Sequence, residues 1–157
     1  MSERRIAVFP GSFDPITIGH ESVIRRGSAL FDECVVAVGI NAQKDHLFPL
    51  EKRMEWLEAV FKDEERIRID SFRGLTIEYC RAIGAKYILR GLRNPNDFEF
   101  ERNIAQMNKA MDPAIETVLL PTLPEHTAIS STIVRDIIRN DGDPAPFVPA
   151  GVSVEKA

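Results

Sequence analysis

The chain has 157 residues, of which 44% are hydrophobic, and this length and composition fit one domain with a single core. Its 20 Lys and Arg residues are outnumbered by 24 Asp and Glu residues, which gives a formal net charge of -4. Proteins that bind nucleic acids usually carry a basic excess over a whole face, so this balance argues against a nucleic-acid partner. The apolar runs around residues 35–40 and 118–120 are far shorter than the roughly 20 residues that cross a bilayer, which argues against a membrane partner.

The first five residues lead directly into an apolar run, without the long hydrophobic segment of a signal peptide, so we predict a cytoplasmic protein. Cys34 and Cys80 lie far apart and outside any C-x-x-C spacing, and we interpret both as structural thiols in a reducing compartment. His20, His46 and His126 are too scattered along the chain to indicate a zinc site. The sequence leaves the identity of any metal ligands unknown.

Short apolar, β-branched runs alternate with longer amphipathic stretches along the chain. The short runs predict five strands, at residues 5–9, 34–40, 66–70, 86–89 and 116–120. Apolar residues recur at helical spacing in three of the longer stretches, and we interpret all three stripes as core. The stripes consist of Leu50, Met54, Leu57 and Phe61, then Phe100, Ile104, Met107 and Met111, and finally Ile133, Val134, Ile137 and Ile138.

Strands that alternate with helices of this length favour a parallel sheet with right-handed crossovers. We therefore predict an α/β fold, a Rossmann-like three-layer sandwich with a five-stranded parallel sheet. One domain would span residues 1–157, since no linker divides the chain. The proline-rich segment from about residue 143 is interpreted as a strap over the domain, followed by a short tail after Pro149.

The first predicted strand leads through a loop into a helix. Thr17 is suited to the helix N-cap, Gly19 would let an anion approach the backbone closely, and His20 would lie in the first turn. The free N–H groups and the dipole at such a helix terminus attract phosphate. The plainer alternative is that Thr17 only caps the helix and His20 is a surface residue.

Charged residues follow two further strands. Lys44, just beyond the second strand, is either an anion ligand or a solvated turn residue. Arg90 and Arg93 flank Gly91 after the fourth strand, an arrangement suited to bidentate contacts with phosphate, with a surface salt-bridge pair as the alternative. Glu101 could accept hydrogen bonds from sugar hydroxyls or face only water.

Three hydroxyl-bearing residues, Ser130, Ser131 and Thr132, stand where a helix should begin after the fifth strand. Helix capping explains one of them, whereas three together could hold phosphates against the helix N-terminus. The carboxyl ends of parallel strands lie at one edge of a sheet, so the loops after all these strands should meet there. The sequence therefore predicts one pocket for several phosphates, despite the acidic net charge.

In combination these segments resemble the bacterial phosphopantetheine adenylyltransferases of the nucleotidyltransferase superfamily, from residue 6 to about residue 148. The resemblance rests on Pro-Gly-Ser-Phe-Asp-Pro-Ile-Thr-x-Gly-His at 10–20, Lys44, Ile-Leu-Arg-Gly-Leu-Arg at 88–93, Asp-Phe-Glu-x-Glu at 97–101 and Ile-Ser-Ser-Thr at 129–132. Two positions depart from the commonest pattern of the family. Ser12 stands where threonine is frequent and keeps the hydroxyl, and His126 stands where an aromatic residue often lies near the nucleotide.

The resemblance implies transfer of the adenylyl group of ATP to 4'-phosphopantetheine, giving 3'-dephospho-CoA and pyrophosphate in the penultimate step of coenzyme A synthesis. We predict His20 and Lys44 as the catalytic residues, because both could stabilise charge on the transferring group. The implied ATP-binding residues are Ser12, Phe13, His20, Gly91, Leu92, Arg93, Glu101, His126, Thr127, Ala128, Ile129, Ser130, Ser131 and Thr132. The implied phosphopantetheine-binding residues are Ser12, Lys44, Thr76 and Arg90.

The same resemblance implies Mg²⁺ bound with ATP, a homohexamer of two trimers, and feedback inhibition by coenzyme A at the same pocket. One alternative is a related nucleotidyltransferase that acts on another phosphate acceptor, such as nicotinate mononucleotide. The other is a non-catalytic module that binds nucleotide or senses coenzyme A. Binding alone would tolerate the loss of groups that act in the transition state, so the joint presence of His20, Lys44 and both arginines argues against that module.

Overall fold

A computed structural model describes residues 3–154 of the chain. Its five strands form one sheet in the order β3-β2-β1-β4-β5, and every neighbouring pair is parallel. The strands are β1 Ile6–Gly11, β2 Glu33–Ile40, β3 Ile67–Arg73, β4 Tyr87–Leu92 and β5 Glu116–Pro121. All five predicted strands are confirmed, and so is the parallel sheet.

Four strands continue further toward their carboxyl ends than the sequence pattern predicts, β5 by only one residue. β1 runs through Gly11, β3 through Arg73 and β4 through Leu92. The apolar pattern stops earlier because Pro10 and Arg90 interrupt it, yet backbone pairing continues, with Pro10 beside Ala37 and Arg90 beside Leu119. These extra residues carry the backbone into the region where the predicted site lies.

Helices cover both faces of the sheet. They are α1 Ile18–Ser28, α2 Leu50–Val60, α3 Thr76–Ile83, α4 Pro95–Met111 and α5 Ser131–Arg139. Helices α1, α2 and α5 contribute to the core cluster on one face, and α3 contributes to the cluster on the other. Helix α4 lines a cleft together with the first residue of α3, so it lies on that second face. The predicted Rossmann-like three-layer sandwich is confirmed.

Helix α1 packs unusually close to β4. A Cβ atom placed at Gly27 would lie 2.3 Å from Cδ2 of Leu89, so only glycine permits this approach. Val23 and Ile24 of the same helix are buried, as is Leu89. The close contact fixes the axis of α1 against the sheet and with it the position of the helix N-terminus.

The predicted core stripe of α4 is wrong. Phe100, Ile104, Met107 and Met111 are 64%, 41%, 65% and 44% exposed. The side of α4 that faces the sheet carries Glu101 instead, which is only 6% exposed. Helical spacing identifies an apolar stripe but does not say which surface covers it. Here the described residues of one chain leave the stripe of α4 uncovered.

The other two stripes behave differently. In α2 and just after it, Leu57 and Phe61 are buried, and Leu50 and Met54 pack partly buried against the core, as predicted. In α5 only Val134 is fully buried, whereas Ile133 is 50% exposed, so the core prediction holds for part of that helix.

The segment after α5 lies against the domain as far as the structure describes it. Val148 and Val152 belong to the core cluster of the first face, and Val154 packs partly buried against it. The last three residues of the predicted tail lie outside the described residues. Within residues 3–154, the structure has no helix that is both long and apolar enough to cross a membrane.

Candidate active site

Two adjoining cavities open at the carboxyl edge of the sheet. The first, here called the polar cleft, has a volume of about 330 Å³ and lies between the loop after β1, the N-terminus of α1 and the N-terminus of α5. The second, here called the apolar slot, has a volume of about 510 Å³ and runs between β4, α3 and α4. Gly11, Ser12, Arg90 and Glu101 line both cavities, so the two form one continuous site.

Most of the predicted site residues meet in these cavities. The polar cleft is lined by twelve of them, namely Ser12, Phe13, His20, Lys44, Arg90, Gly91, Arg93, Glu101, Ile129, Ser130, Ser131 and Thr132. Thr76 lines the apolar slot. Leu92, Thr127 and Ala128 do not line either cavity. His126 lies next to the N-terminus of α1, where a Cβ at Gly19 would be 3.7 Å from its Cβ.

The N-terminus of α1 is closed by a capping box, as the predicted N-cap role of Thr17 requires. The Thr17 side chain accepts a hydrogen bond from the backbone N–H of His20 at 3.2 Å. In return, the backbone N–H of Thr17 donates to Nδ1 of His20 at 3.1 Å. Because Nδ1 is an acceptor, the proton of the neutral imidazole is assigned to Nε2.

His20 is neutral at physiological pH in the free chain. Burial, followed by the positive charges of Arg90 and then Arg93, lowers the pKa of His20 from 6.5 to about 4. The imidazole ring also packs edge-on against the Phe13 ring, with centroids 5.3 Å apart. His20 therefore presents a fixed, uncharged Nε2–H donor in a cleft that Lys44, Arg90 and Arg93 also line.

The backbone of the loop after β1 is shaped to receive an anion. Phe13 has a φ of 48°, in the left-handed region, while its side chain is buried with 3% exposure. Left-handed residues within a turn can gather successive N–H groups into a concave anion site. The buried ring holds Phe13 in this backbone conformation and leaves its main chain at the cleft.

Lys44 reaches the same loop from the segment after β2. Its Nζ lies 3.1 Å from Oγ of Ser12, although the lysine side chain itself is exposed. An ammonium group and a hydroxyl this close together can bind the same phosphate oxygen. The predicted convergence of these two loops is therefore present in the structure.

Both predicted phosphate-binding arginines have partners within the chain. Arg90 donates to both carboxylate oxygens of Glu101, with the shortest contact at 2.8 Å, and also to the carbonyl oxygen of Pro10. Arg93 pairs with Asp97 at 3.1 Å. Arg90 is still about one-third exposed, so its guanidinium can contact a ligand. Glu101 fixes the orientation of that guanidinium, a role the sequence did not indicate.

The three hydroxyls at the N-terminus of α5 have three separate roles. Ser130 is the N-cap, because its side chain accepts the N–H of Ile133 at 3.2 Å. The Ser131 hydroxyl donates to the carbonyl oxygen of Pro15 at 2.8 Å and so ties α5 to the loop after β1. Thr132 Oγ1 accepts a hydrogen bond from Arg135 at 3.2 Å. The prediction that capping explains one of the three is correct.

Sequence reasoning missed a group of buried side chains beneath the cleft. Asp14 and Arg53 are 2% and 4% exposed, and Arg135 donates to the carbonyl oxygen of Asp14 at 3.0 Å. Asp14 stood inside the recognised motif, which is a usable signal. The sequence carries no signal for Arg53, because a single arginine in an amphipathic helix usually lies at the surface.

The carboxylates that line the polar cleft are already paired. Asp97 binds Arg93 and Glu101 binds Arg90. Among residues 3–154 there is no group of three or more His, Cys, Asp or Glu side chains placed to hold a metal ion. The described residues therefore do not offer a magnesium site built from protein ligands alone, and any such ion would depend on oxygens of a ligand.

Comparison with known proteins assigns this geometry to a family. A family model described as cytidylyltransferase-like matches residues 8–137. A phosphopantetheine adenylyltransferase from Flavobacterium johnsoniae is 51% identical over 97% of this chain and 99% of its own length. Enzymes of the same name from Flavobacterium psychrophilum and Lachnoclostridium phytofermentans are 50% and 43% identical, over 96% and 94% of this chain and 99% and 91% of their own lengths.

A solved structure from Vibrio parahaemolyticus, assigned as a nicotinate-nucleotide adenylyltransferase, superposes with a TM-score of 0.68. It covers 94% of this chain and 88% of that chain, at 19% sequence identity, so the likeness shows a shared fold. The sequence relatives are far more similar and cover nearly the whole chain. The chain therefore belongs to the phosphopantetheine adenylyltransferase family, a family of nucleotidyltransferase enzymes with the cytidylyltransferase-like domain.

Proposed function

We propose that the chain transfers the adenylyl group of ATP to 4'-phosphopantetheine and releases pyrophosphate, forming 3'-dephospho-CoA for coenzyme A synthesis. Relatives of this name match nearly the full chain, which supports the reaction. The observation that carries the proposal is the junction between the two cavities. Gly11, Ser12, Arg90 and Glu101 line both, and a phosphate group at this junction would join a nucleotide in one cavity to an elongated molecule in the other.

The polar cleft is suited to ATP. Its walls are the N-termini of two helices, α1 and α5, whose free N–H groups and dipoles favour phosphates. We assign the adenosine to the side formed by the segment from His126 to Thr132, and the phosphates to Phe13, His20 and Arg93. Leu92, Thr127 and Ala128 stay predictions as ATP contacts.

The apolar slot is suited to the pantetheine arm of the acceptor. Phe72, Ile88, Ile104 and Ala105 line its walls, and Thr76 and Asn108 add polar groups. A slot with apolar walls and several polar groups, which here also include Asn41 and Thr117, can bind and orient a long chain that carries amide groups. The phosphate of the acceptor would then lie at the junction, against Ser12, Lys44 and Arg90.

The reaction we propose is direct in-line attack by an oxygen of the acceptor phosphate on the α-phosphorus of ATP. The P–O bond to the β-phosphate breaks, and pyrophosphate carries away the electron pair. A phosphate monoester is already an anionic nucleophile, so the reaction needs orientation and charge stabilisation rather than a general base. The Nε2–H of His20 and the ammonium of Lys44 supply donors for the oxygens on which charge develops.

Mg²⁺ would enter with ATP, bound mainly by phosphate oxygens, since the cleft carboxylates pair with arginines. It would supply charge neutralisation of the leaving pyrophosphate. Coenzyme A contains both the nucleotide and the pantetheine arm, so it fits the joined cavities and would inhibit by occupying them. We place the reaction in the cytoplasm.

The assembly we propose is a homohexamer. The exposed apolar residues of α4, namely Phe98, Phe100, Ile104, Met107 and Met111, are 41% to 65% exposed in one chain. Apolar patches of this kind on a protein mark interaction surfaces. A further copy of the chain would bury this face. The apolar stripe of α4 would then be covered, as the sequence predicts, but by a second chain.

Pyrophosphate release with a panel of acceptors tests the proposed function. We expect rapid release with ATP and 4'-phosphopantetheine, and release at least about 100-fold slower with nicotinate mononucleotide, because that acceptor cannot fill the apolar slot. Faster release with nicotinate mononucleotide would favour the alternative acceptor. Binding of ATP and coenzyme A without turnover of any acceptor would indicate the non-catalytic module.

A further inference from the structure

We propose that Asp14 and Arg53 are positioning residues that lock the segment carrying Lys44 onto the loop after β1, and so set the place of the Lys44 ammonium for adenylyl transfer. The inference rests on the proposed function, because it concerns the residue that would bind the acceptor phosphate. Neither side chain touches the reacting atoms in this arrangement. Each acts through the backbone of the segment that follows β2.

Asp14 joins the two loops by two hydrogen bonds. Its Oδ2 accepts the backbone N–H of Leu47 at 2.8 Å, and its Oδ1 accepts the backbone N–H of Phe48 at 2.9 Å. Each carboxylate oxygen thus holds one N–H group, and the side chain is 2% exposed. Charge-assisted hydrogen bonds away from water are stronger and more directional than neutral ones.

Arg53 makes the complementary connection from helix α2. Its Nε donates to the carbonyl oxygen of Phe48 at 3.0 Å, and its NH1 donates to the carbonyl oxygen of Ser12 at 2.8 Å. One guanidinium therefore bridges the two segments. The residue is 4% exposed, and this burial lowers the pKa of Arg53 while the neighbouring Asp14 charge opposes that change.

The hydrogen bonds of the Asp14 carboxylate go to backbone N–H groups, and not to the nearby imidazole. Nδ1 of His46 lies 3.6 Å from Oδ2 of Asp14, beyond hydrogen-bond distance, and both ring nitrogens of His46 lack a partner. Burial, then the charge of Arg53, lowers the pKa of His46, so this histidine is uncharged at neutral pH. The carboxylate is therefore held by the two backbone N–H groups, and the Arg53 charge influences it without an ion pair between the two side chains.

The consequence reaches the cleft through a short stretch of chain. Lys44 lies three residues before Leu47, and apart from its 3.1 Å contact with Ser12 its side chain is exposed. The segment from 41 to 49 belongs to no helix or strand, and the backbone of Lys44 is held locally only by a turn, in which its N–H donates to the carbonyl oxygen of Asn41 at 3.2 Å. A displacement of about 1 Å at a catalytic group can cost about 100-fold in rate, so anchoring this segment matters for the reaction.

A double-mutant cycle with Lys44 tests the inference. Asp14→Asn keeps the shape of the side chain, but whichever way the amide is oriented, one of the two backbone N–H groups faces an NH₂ group. We expect kcat/KM for 4'-phosphopantetheine to fall about 10- to 100-fold in the otherwise unchanged enzyme. In a Lys44→Ala enzyme the same change should cost less than about 2-fold, because the group that it positions is gone.

Matched controls separate positioning from general damage. Asp32 accepts the backbone N–H of Arg5 at 2.7 Å, at the opposite edge of the sheet, so Asp32→Asn is the same chemical change away from the site. Arg66 contacts the carbonyl oxygens of Ala29 and Phe31, so Arg66→Lys matches Arg53→Lys. We expect both controls to leave kcat/KM within about 2-fold of the wild-type value.

The results of the double-mutant cycle distinguish the positioning role of Asp14 from the proposed function. Equal fold-losses from Asp14→Asn with and without Lys44 would overturn the inference while leaving the proposed function intact. An unchanged Lys44→Ala enzyme would overturn both the role of Lys44 and its positioning. A wild-type enzyme that releases no pyrophosphate with phosphopantetheine would remove the proposed function and this inference with it. Should Asp14→Asn fail to fold, Arg53→Lys is put through the same cycle with the same criteria.

Discussion

The polar cleft and the α4 face differ in how many of their side chains find a partner within one chain. In the cleft, Arg90 and Arg93 pair with carboxylates, and the carbonyl oxygens of the loop after β1 receive guanidinium and hydroxyl donors from helices α2 and α5. On the α4 face, Phe100 and Met107 are 64% and 65% exposed. One chain thus preorganises the cleft by itself, and it leaves on α4 an apolar surface that we propose a second copy covers.

This contrast separates two sets of variants. Changes in the cleft should alter turnover or substrate affinity and leave assembly unchanged. Changes at Met107 and Met111 on the outer side of α4 should do the reverse, because these two residues line neither cavity, whereas Glu101 of the same helix lines both. The four predictions that follow test whether the two regions are separable in this way.

The largest effect is expected for His20→Ala. Loss of one preorganised donor to the transition state commonly costs about 3 to 4 kcal/mol, so kcat should fall about 10² to 10³-fold. The KM for ATP should stay nearly unchanged, because the lost interaction is made mainly in the transition state. Steady-state pyrophosphate release measures both quantities, and unchanged turnover would remove His20 from the mechanism.

Arg90→Ala should raise the KM for phosphopantetheine by about 10- to 100-fold, since a charged hydrogen bond to phosphate is lost. It also leaves Glu101 buried without its partner, which should lower the free energy of unfolding. The double variant Arg90→Ala with Glu101→Gln separates these effects. It should recover stability in urea denaturation without recovering the KM, and a normal KM in either variant contradicts the assigned role of Arg90.

On the α4 face, Met107→Glu combined with Met111→Glu should weaken self-association by at least about 10-fold, because two charges would have to be buried at the contact. Sedimentation velocity at micromolar concentration reports the change in mass. Asn103→Glu, on an exposed polar position of the same helix, is the matched control and should leave the mass unchanged. An unaltered mass for the double variant would show that this face is not where copies of the chain meet.

The smallest effect is a pH dependence of stability in the cleft. The folded chain holds the pKa of His20 at about 4 against 6.5 for an unperturbed histidine, so the unfolded state binds a proton that the folded state excludes in this window. Stability from this group is therefore complete above about pH 6.5 and falls as the pH drops toward 4. Between pH 7 and pH 5 we expect a loss of about 1 to 2 kcal/mol from this residue alone.

Urea denaturation of the wild-type chain and of His20→Gln at both pH values isolates the contribution, since all other groups titrate in both proteins. The variant should lose less stability over this range than the wild type. The same pH dependence in the two proteins would contradict a neutral His20. Assembly through α4 should not change over this range, because its apolar residues do not titrate.

Much of the cleft could be predicted from the sequence because its geometry follows from local rules. Thr17 at the N-cap, His20 in the first turn and Ser130 at the start of α5 depend on helix termini, which residue types indicate directly. Their convergence follows from the parallel sheet, since all the loops concerned leave the same edge. Local signals and one topological rule were sufficient here.

The parts that sequence did not predict depend on contacts between distant segments. The bridge from Arg53 to Ser12 spans two elements, and nothing in the pattern of α2 distinguishes this arginine from a solvated one. Arg90 and Glu101 were both predicted to bind a ligand, and in the structure they form an ion pair with each other. The prediction that the α4 stripe is core failed for a related reason. Amphipathicity identifies an apolar side of a helix but not the surface that covers it.

The proposed function requires that both cavities belong to one site, with a phosphate group at their junction. A crystal structure with 3'-dephospho-CoA tests this most directly, because the product contains both halves joined by a diphosphate. We predict the adenosine beside residues 126–132, the diphosphate within hydrogen-bond distance of His20, Lys44 and Arg90, and the pantetheine arm between α3 and α4. A diphosphate bound away from His20, or an arm that leaves the apolar slot empty, would contradict it.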